Sequence, residues 1–167
     1  MSSVRIQVLS AEDWTVWREV RLRSLADAPE AFGSKLADWQ GDNDREDRWR
    51  ERLDNVAFNA VAVAGGQVVG TVGGMHCGGS TDSVELISMW VSPEVRGTGV
   101  GDALIGAVVE WALSESTVEL VLAVRRSNSP ARALYERTGF VLVGAHPDDP
   151  DEDLMIRALD VTPGPDA

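Results

Sequence analysis

The chain has 167 residues, enough for one domain with a sizeable core and no need of a metal or disulfide to stabilise it. Fifteen Lys and Arg against 27 Asp and Glu give a formal charge of −12, which argues against nonspecific attraction to a nucleic acid backbone and leaves DNA and RNA as poor partners. The single cysteine, Cys77, excludes an internal disulfide framework; the opening MSSVRIQV lacks the features of a secretory signal, and no apolar run approaches the ~20 residues of a bilayer span, so a cytoplasmic protein without a membrane partner is expected.

Residues 4–9, VRIQVL, alternate and predict an opening strand. Ser10 followed by Asp13 resembles a capping box for a helix over residues 11–27, with Trp14, Trp17, Val20 and Leu25 as its buried stripe and Pro29 opposing continuation. A second, highly charged helix is expected from about Asp44 to Leu53, with Trp49 and Leu53 inward. The period then changes. AFNAVAVA, VVGTVGGMHC and VELISMWV read as strands separated by the turn GGQ and the loop GGSTDS, which predicts an antiparallel meander.

RGTGVG, residues 96–101, comes next, and alternating glycines before a helix need a reason because glycine loses the most freedom on ordering. One is anion binding, since unpaired N–H groups and partial positive charge sit at a helix start and absent side chains let phosphate oxygens approach; the other is a flexible surface turn. Leu104, Ile105, Val108, Val109 and Ala112 then form the apolar stripe of a helix, and VELVLAV, residues 118–124, suits a buried strand, completing a βαβ unit. SPARALYERTGF predicts a helix with Ser129 as N-cap, Pro130 at its first position and Gly139 as terminator, followed by strands near FVLVGA and LMIRALD. The domain is expected to end near residue 161, with TPGPDA, residues 162–167, disordered.

A Walker loop needs a lysine and a hydroxyl residue that are missing here, and a dinucleotide fingerprint needs a third glycine where Asp102 or Leu104 stands. What remains is R-x-x-G-x-G, Arg96 to Gly101, and, further on, N-x-x-A-x-x-x-Y-x-x-x-G-F, carried by Asn128, Ala131, Tyr135, Gly139 and Phe140. In both motifs and in element order from Val4 to Asp160 the chain resembles the GNAT acyl-CoA N-acetyltransferases.

That resemblance implies an α/β (α+β) fold with a mixed, mostly antiparallel central sheet of about six or seven strands flanked by about four helices. It implies that VELISMWV and VELVLAV pair at one end and splay at the other, leaving a cleft for acetyl-CoA. Pantetheine amides would bond the backbone of Met89, Trp90 and Val91, and the pyrophosphate would lie on the N–H groups of Arg96, Gly97, Thr98, Gly99, Val100 and Gly101. Asn128 would contact the pantetheine arm, or act as turn or cap beside Pro130. By the same resemblance a backbone N–H near Met89 to Val91 stabilises the oxyanion and Tyr135 protonates the departing thiolate, against a reading of Tyr135 as a packed helix aromatic. Glu85 is the candidate general base, or an exposed glutamate where its strand begins. The function implied is direct acetyl transfer from acetyl-CoA to a primary amine of a small molecule or protein, with no metal; the alternative is an inactive CoA sensor module. His76 and Cys77 lack companions at metal spacing and read as packing or cleft lining, and His146 as loop or acceptor mouth. The acidic run 148–153 with LADAPEAFG, residues 25–33, favours a cationic acceptor, and homodimers are frequent in such families.

Overall fold

The computed structural model describes residues 3–32 and 35–160. Strand β1 (Arg5–Val8) leads through a short 3-10 turn at Ala11–Asp13 into α1 (Trp14–Asp27), and α2 (Glu46–Asn55) precedes the meander β2 (Phe58–Ala64), β3 (Gln67–His76) and β4 (Ser83–Val91). Helix α3 (Val100–Ser114), β5 (Glu119–Arg125), α4 (Ser129–Arg137), β6 (Val141–His146) and β7 (Asp149–Ala158) complete the chain. The seven strands form one sheet in the order β1-β2-β3-β4-β5-β7-β6, in which only β4 and β5 run parallel, as a helical crossover between them requires. The expected mixed, mostly antiparallel sheet with four α-helices is therefore present.

Alternation along β2 divides the core. Ala60 and Ala62 face α3 with Val84, Leu86, Leu104, Ile105 and Val108, whereas Val61 and Val63 face α1 and α2 with Trp17, Val20, Trp49 and Leu53. Each large side chain so buried contributes ~1.5–3 kcal/mol. Trp14 of the expected stripe is only half-buried. Asp13 completes the spacing seen in sequence by accepting from the Ser10 N–H (2.9 Å), but its own N–H bonds Ser10 C=O (2.9 Å), so a 3-10 turn stands where the helix was expected to begin. At α4 the N-cap is Asn128 and not Ser129: Asn128 Oδ1 accepts from the Ala131 N–H at 3.3 Å. Gly139 ends this helix as expected, at φ 98°, and lets the Phe140 N–H reach Tyr135 C=O at 2.9 Å. The tail, residues 162–167, lies outside the described residues. Among those described, no helix is long and apolar enough to cross a membrane.

Asp44 joins α1 to α2 by accepting from Arg18 Nε and Trp49 Nε1, each at 2.8 Å. The Arg18 hydrogen bond, then that of Trp49, hold its carboxyl at about 2. Because the folded value lies below the ordinary carboxylate value of ~4, the contribution is complete above that pH and disappears as pH falls toward about 2. Asp44→Asn is expected to lower the Tm at pH 7, with its deficit against the parent closing between pH ~4 and ~2. Thermal unfolding at stepped pH checks this; a deficit independent of pH would assign the effect to the neutral hydrogen bonds.

Candidate active site

The two parallel strands pair over three positions only, Ser83 with Glu119, Val84 with Leu120 and Glu85 with Val121, and then separate. Beyond that point β4 keeps β3 on its other edge and β5 keeps β7, so the facing edges are open. A bulge sharpens the divergence. Thr71 faces Trp90 and Gly73 faces Ile87, so Ser88 and Met89 together oppose Val72, and Ser88 takes φ 54°. Its carbonyl accepts from Thr71 Oγ1 at 2.7 Å and its Oγ from Arg52 Nη2 at 2.9 Å, which hold the strained residue in place. The gap opens into a cleft of about 500 Å³, with Met89, Trp90 and Val91 on one wall and Ala123, Val124 and Arg125 on the other.

The glycine loop closes one end of this cleft. Gly97 and Gly99 have φ of 79° and 96°, a left-handed backbone that L side chains rarely adopt, and a Cβ on either would meet nothing within 4 Å. Their need is conformational, and the space around them is free for a ligand. Gly101 has another reason: a Cβ there would come within 2.8 Å of Leu134 Cδ2, so it lets α4 approach α3. The first intrahelical bond of α3 runs from the Ala103 N–H to Gly99 C=O (3.1 Å), leaving the amides of Val100 to Asp102 without helical partners.

Of the residues singled out in sequence, Met89, Trp90, Val91, Arg96, Gly97, Gly99, Gly101, Asn128 and Tyr135 all line this one cleft. Thr98 and Val100 do not, and Val100 is buried in the core. Glu85 does not line it either; it occupies the last paired position before the strands part, and alternation from Val84 and Leu86 turns it to the α1/α2 side. His76 packs on Trp111, with ring centroids 5.1 Å apart, and neither it nor Cys77 or His146 reaches the cleft. Among the described residues no group of three or more His, Cys, Asp or Glu is placed to hold a metal.

Tyr135 is 6% exposed and packs edge-to-face on Phe140 with centroids 5.8 Å apart; burial pushes its phenol pKa well above the usual value. Arg96 donates to Val91 C=O (3.0 Å) and to Asp27 Oδ2 (2.7 Å), and Asp27 also accepts from Trp90 Nε1 (3.0 Å). Asp27 lies in the segment 25–33 that sequence reading set beside the acceptor, but its pairing with Arg96 and Trp90 was missed, because these partners lie more than 60 positions away. Arg137 likewise pairs with Asp102 across the cleft at 3.1 Å.

A sheet split at its one parallel pair, with a glycine loop and a helix N-terminus at the gap, turns open strand edges and unpaired backbone amides toward one cleft. The Acetyltransferase (GNAT) family profile matches residues 18–140. Mycothiol acetyltransferase of Kocuria rhizophila is 34% identical over 135 residues, covering 77% of this chain and 42% of that protein. An acetyltransferase of the GNAT family from Streptococcus pneumoniae shares the fold with a TM-score of 0.76 at 18% identity, over 94% of this chain and 99% of that one. YncA, a putative acetyltransferase from Salmonella typhimurium solved with acetyl-CoA, does so with a TM-score of 0.75 at 21% identity over 99% of both chains. The chain spans 28–43% of the length of the curated relatives it matches. It belongs to the GNAT acetyltransferase family.

Proposed function

We propose that the chain transfers an acetyl group from acetyl-CoA directly to an amine of a small molecule or a protein, within a ternary complex. The observation that carries this reading is the open edge of β4 at Met89 to Val91, lying between the loop amides at one end of the cleft and Tyr135 on its wall. Pantetheine amides bond that open edge as an added strand would, and the pyrophosphate lies on the amides from Arg96 to Gly101. Asn128, whose Oδ1 serves the helix cap, keeps its side-chain N–H groups for the pantetheine arm. A backbone N–H near Met89 to Val91 stabilises the oxyanion that develops on the acetyl carbonyl. Tyr135 gives its proton to the departing thiolate, a role suited to a phenol that burial keeps protonated. Glu85 takes the ammonium proton through water from the α1/α2 side, since its carboxylate stands off the cleft.

Thermal unfolding with acetyl-CoA, CoA, ATP or NAD tests the cofactor. Acetyl-CoA at 100-fold above Kd contributes ~2.7 kcal/mol, which raises the Tm of a domain this size by roughly 5 to 11 °C. The same rise is expected with CoA and none with ATP or NAD. Thiol release with an amine panel then separates the enzyme from a sensor, which would bind without turnover. No rise with either CoA species would overturn the reading.

A further inference from the structure

The face of the sheet covered by α1 and α2 holds buried positive charge that no ion pair among the described residues balances. Arg21 of α1 is 7% exposed, its Nη1 is buried without a hydrogen-bond partner, and it enters none of the ion pairs among the described residues. Its guanidinium carbon lies 4.5 Å from the Phe32 ring centroid and 5.9 Å from that of Trp17. Arg52 of α2 sits over the same Trp17 ring at 4.8 Å, likewise outside every ion pair, and donates to Asn59 Oδ1 and Ser88 Oγ, both at 2.9 Å. Burial lowers both guanidinium pKa values to about 10, and the Arg52 charge adds to the effect on Arg21. The Trp17 indole N–H is also buried without an acceptor.

Two guanidiniums and an indole N–H thus share one patch rich in donors, where no carboxylate among the described residues pairs with either arginine. Aromatic faces offset part of the desolvation, but a buried cation left unpaired is strongly unfavourable, and a fold that needed only volume there would do better with Met or Leu. The position matters as much as the charge. Ser88, which Arg52 holds, is the bulge that opens the cleft, Phe32 lines that cleft, and Glu85 faces the same side of the sheet. Three carboxylates of the acidic run that favoured a cationic acceptor in sequence are engaged within the chain: Asp149 and Glu152 lie 3.8 Å from Arg125, and Asp153 pairs with Arg126 and Arg132.

We propose that Arg21, backed by Arg52 and the Trp17 N–H, is the anion subsite of the acceptor, and that the acceptor is an amine that also carries a carboxylate. This rests on the acetyltransferase reading above. The ammonium end faces Glu85 and the cleft, while the carboxylate reaches Arg21 once the Phe32 ring turns aside. One uncommitted guanidinium fork and one neutral N–H match the two coplanar oxygens of a carboxylate better than a dianionic phosphate, because Arg52 already serves Asn59 and Ser88.

The test compares amino acids with their carboxamides, phenylalanine against phenylalaninamide and glycine against glycinamide, with phosphoethanolamine as the phosphate arm. Binding is read by calorimetry with and without CoA, and turnover by thiol release. A carboxylate acceptor is expected to show a KM and a Kd at least ~10-fold below those of its amide. Arg21→Met should abolish that ratio, raise KM for the acid ~10-fold or more, and keep a Tm at or above the parent's, while Arg21→Lys restores part of the preference. Acids and amides bound alike, a preference that survives Arg21→Met, or a preference for phosphoethanolamine would each overturn the proposal. Turnover of amides with no preference for acids would do so while leaving acetyl transfer standing. Failure of acetyl-CoA to bind would instead sink the acetyltransferase reading, and calorimetry without CoA still decides the anion subsite.

Discussion

Tyr135→Phe is expected to lower kcat on the order of 10²-fold while the Kd for acetyl-CoA stays within about twofold. The substitution keeps the ring, and with it the edge-to-face packing on Phe140, and removes only the hydroxyl that can donate to a thiolate in the cleft. Burial raises the phenol pKa above its ordinary value of ~10, so an alkaline limb of the rate profile below that value belongs to another group. Tyr135 is the only tyrosine, so phenolate absorbance reads its ionisation directly and should begin well above ~10. Full turnover in the variant would remove the acid role. Lost cofactor binding with intact chemistry would make the hydroxyl a binding group instead.

Gly99→Val should weaken acetyl-CoA roughly 100-fold through two causes that a control can separate. A β-branched side chain at φ 96° strains the turn, and it also stands in the space through which phosphate oxygens would reach the loop amides. Gly66, in the β2–β3 turn, has a comparable φ of 77° and equally open surroundings, but it lies outside the cleft. Gly66→Val is therefore expected to cost about the same stability, ~1–2 kcal/mol, without moving the acetyl-CoA Kd. Calorimetry beside urea unfolding of both variants makes the comparison. If Gly99→Val loses stability and keeps its affinity, the loop is only a turn.

The three motif glycines show how far sequence reading reached. The spacing leaves two readings for all three alike, ligand approach and a flexible surface turn. Two are conformational and open to a ligand, whereas Gly101 serves the packing of Leu134, which comes from another helix. The sequence leaves Asn128 between cap and ligand contact and favours Ser129 as the cap; one hydrogen bond from Ala131 assigns the cap to Asn128. Arg21 was legible in part, since it follows Trp17 by four residues and so falls on the buried stripe of α1, as does Ser24 seven after Trp17. A charged residue on an apolar stripe is the signal that reading passed over.

Local order along the chain determined the strands, the four helices, the glycine turn and the two motifs that identify the family, because these depend on spacings of two to seven residues set by backbone geometry. The family resemblance already implied a splay between β4 and β5; only the tertiary structure decided that it starts after Glu85 and is sharpened by a bulge at Ser88, that Asp27 holds both Arg96 and Trp90, and that Arg21 and Arg52 share one ring with no carboxylate among the described residues paired to either. Each of these joins residues from different elements, and whether a charge is balanced depends on what the folded chain brings within a few ångströms of it.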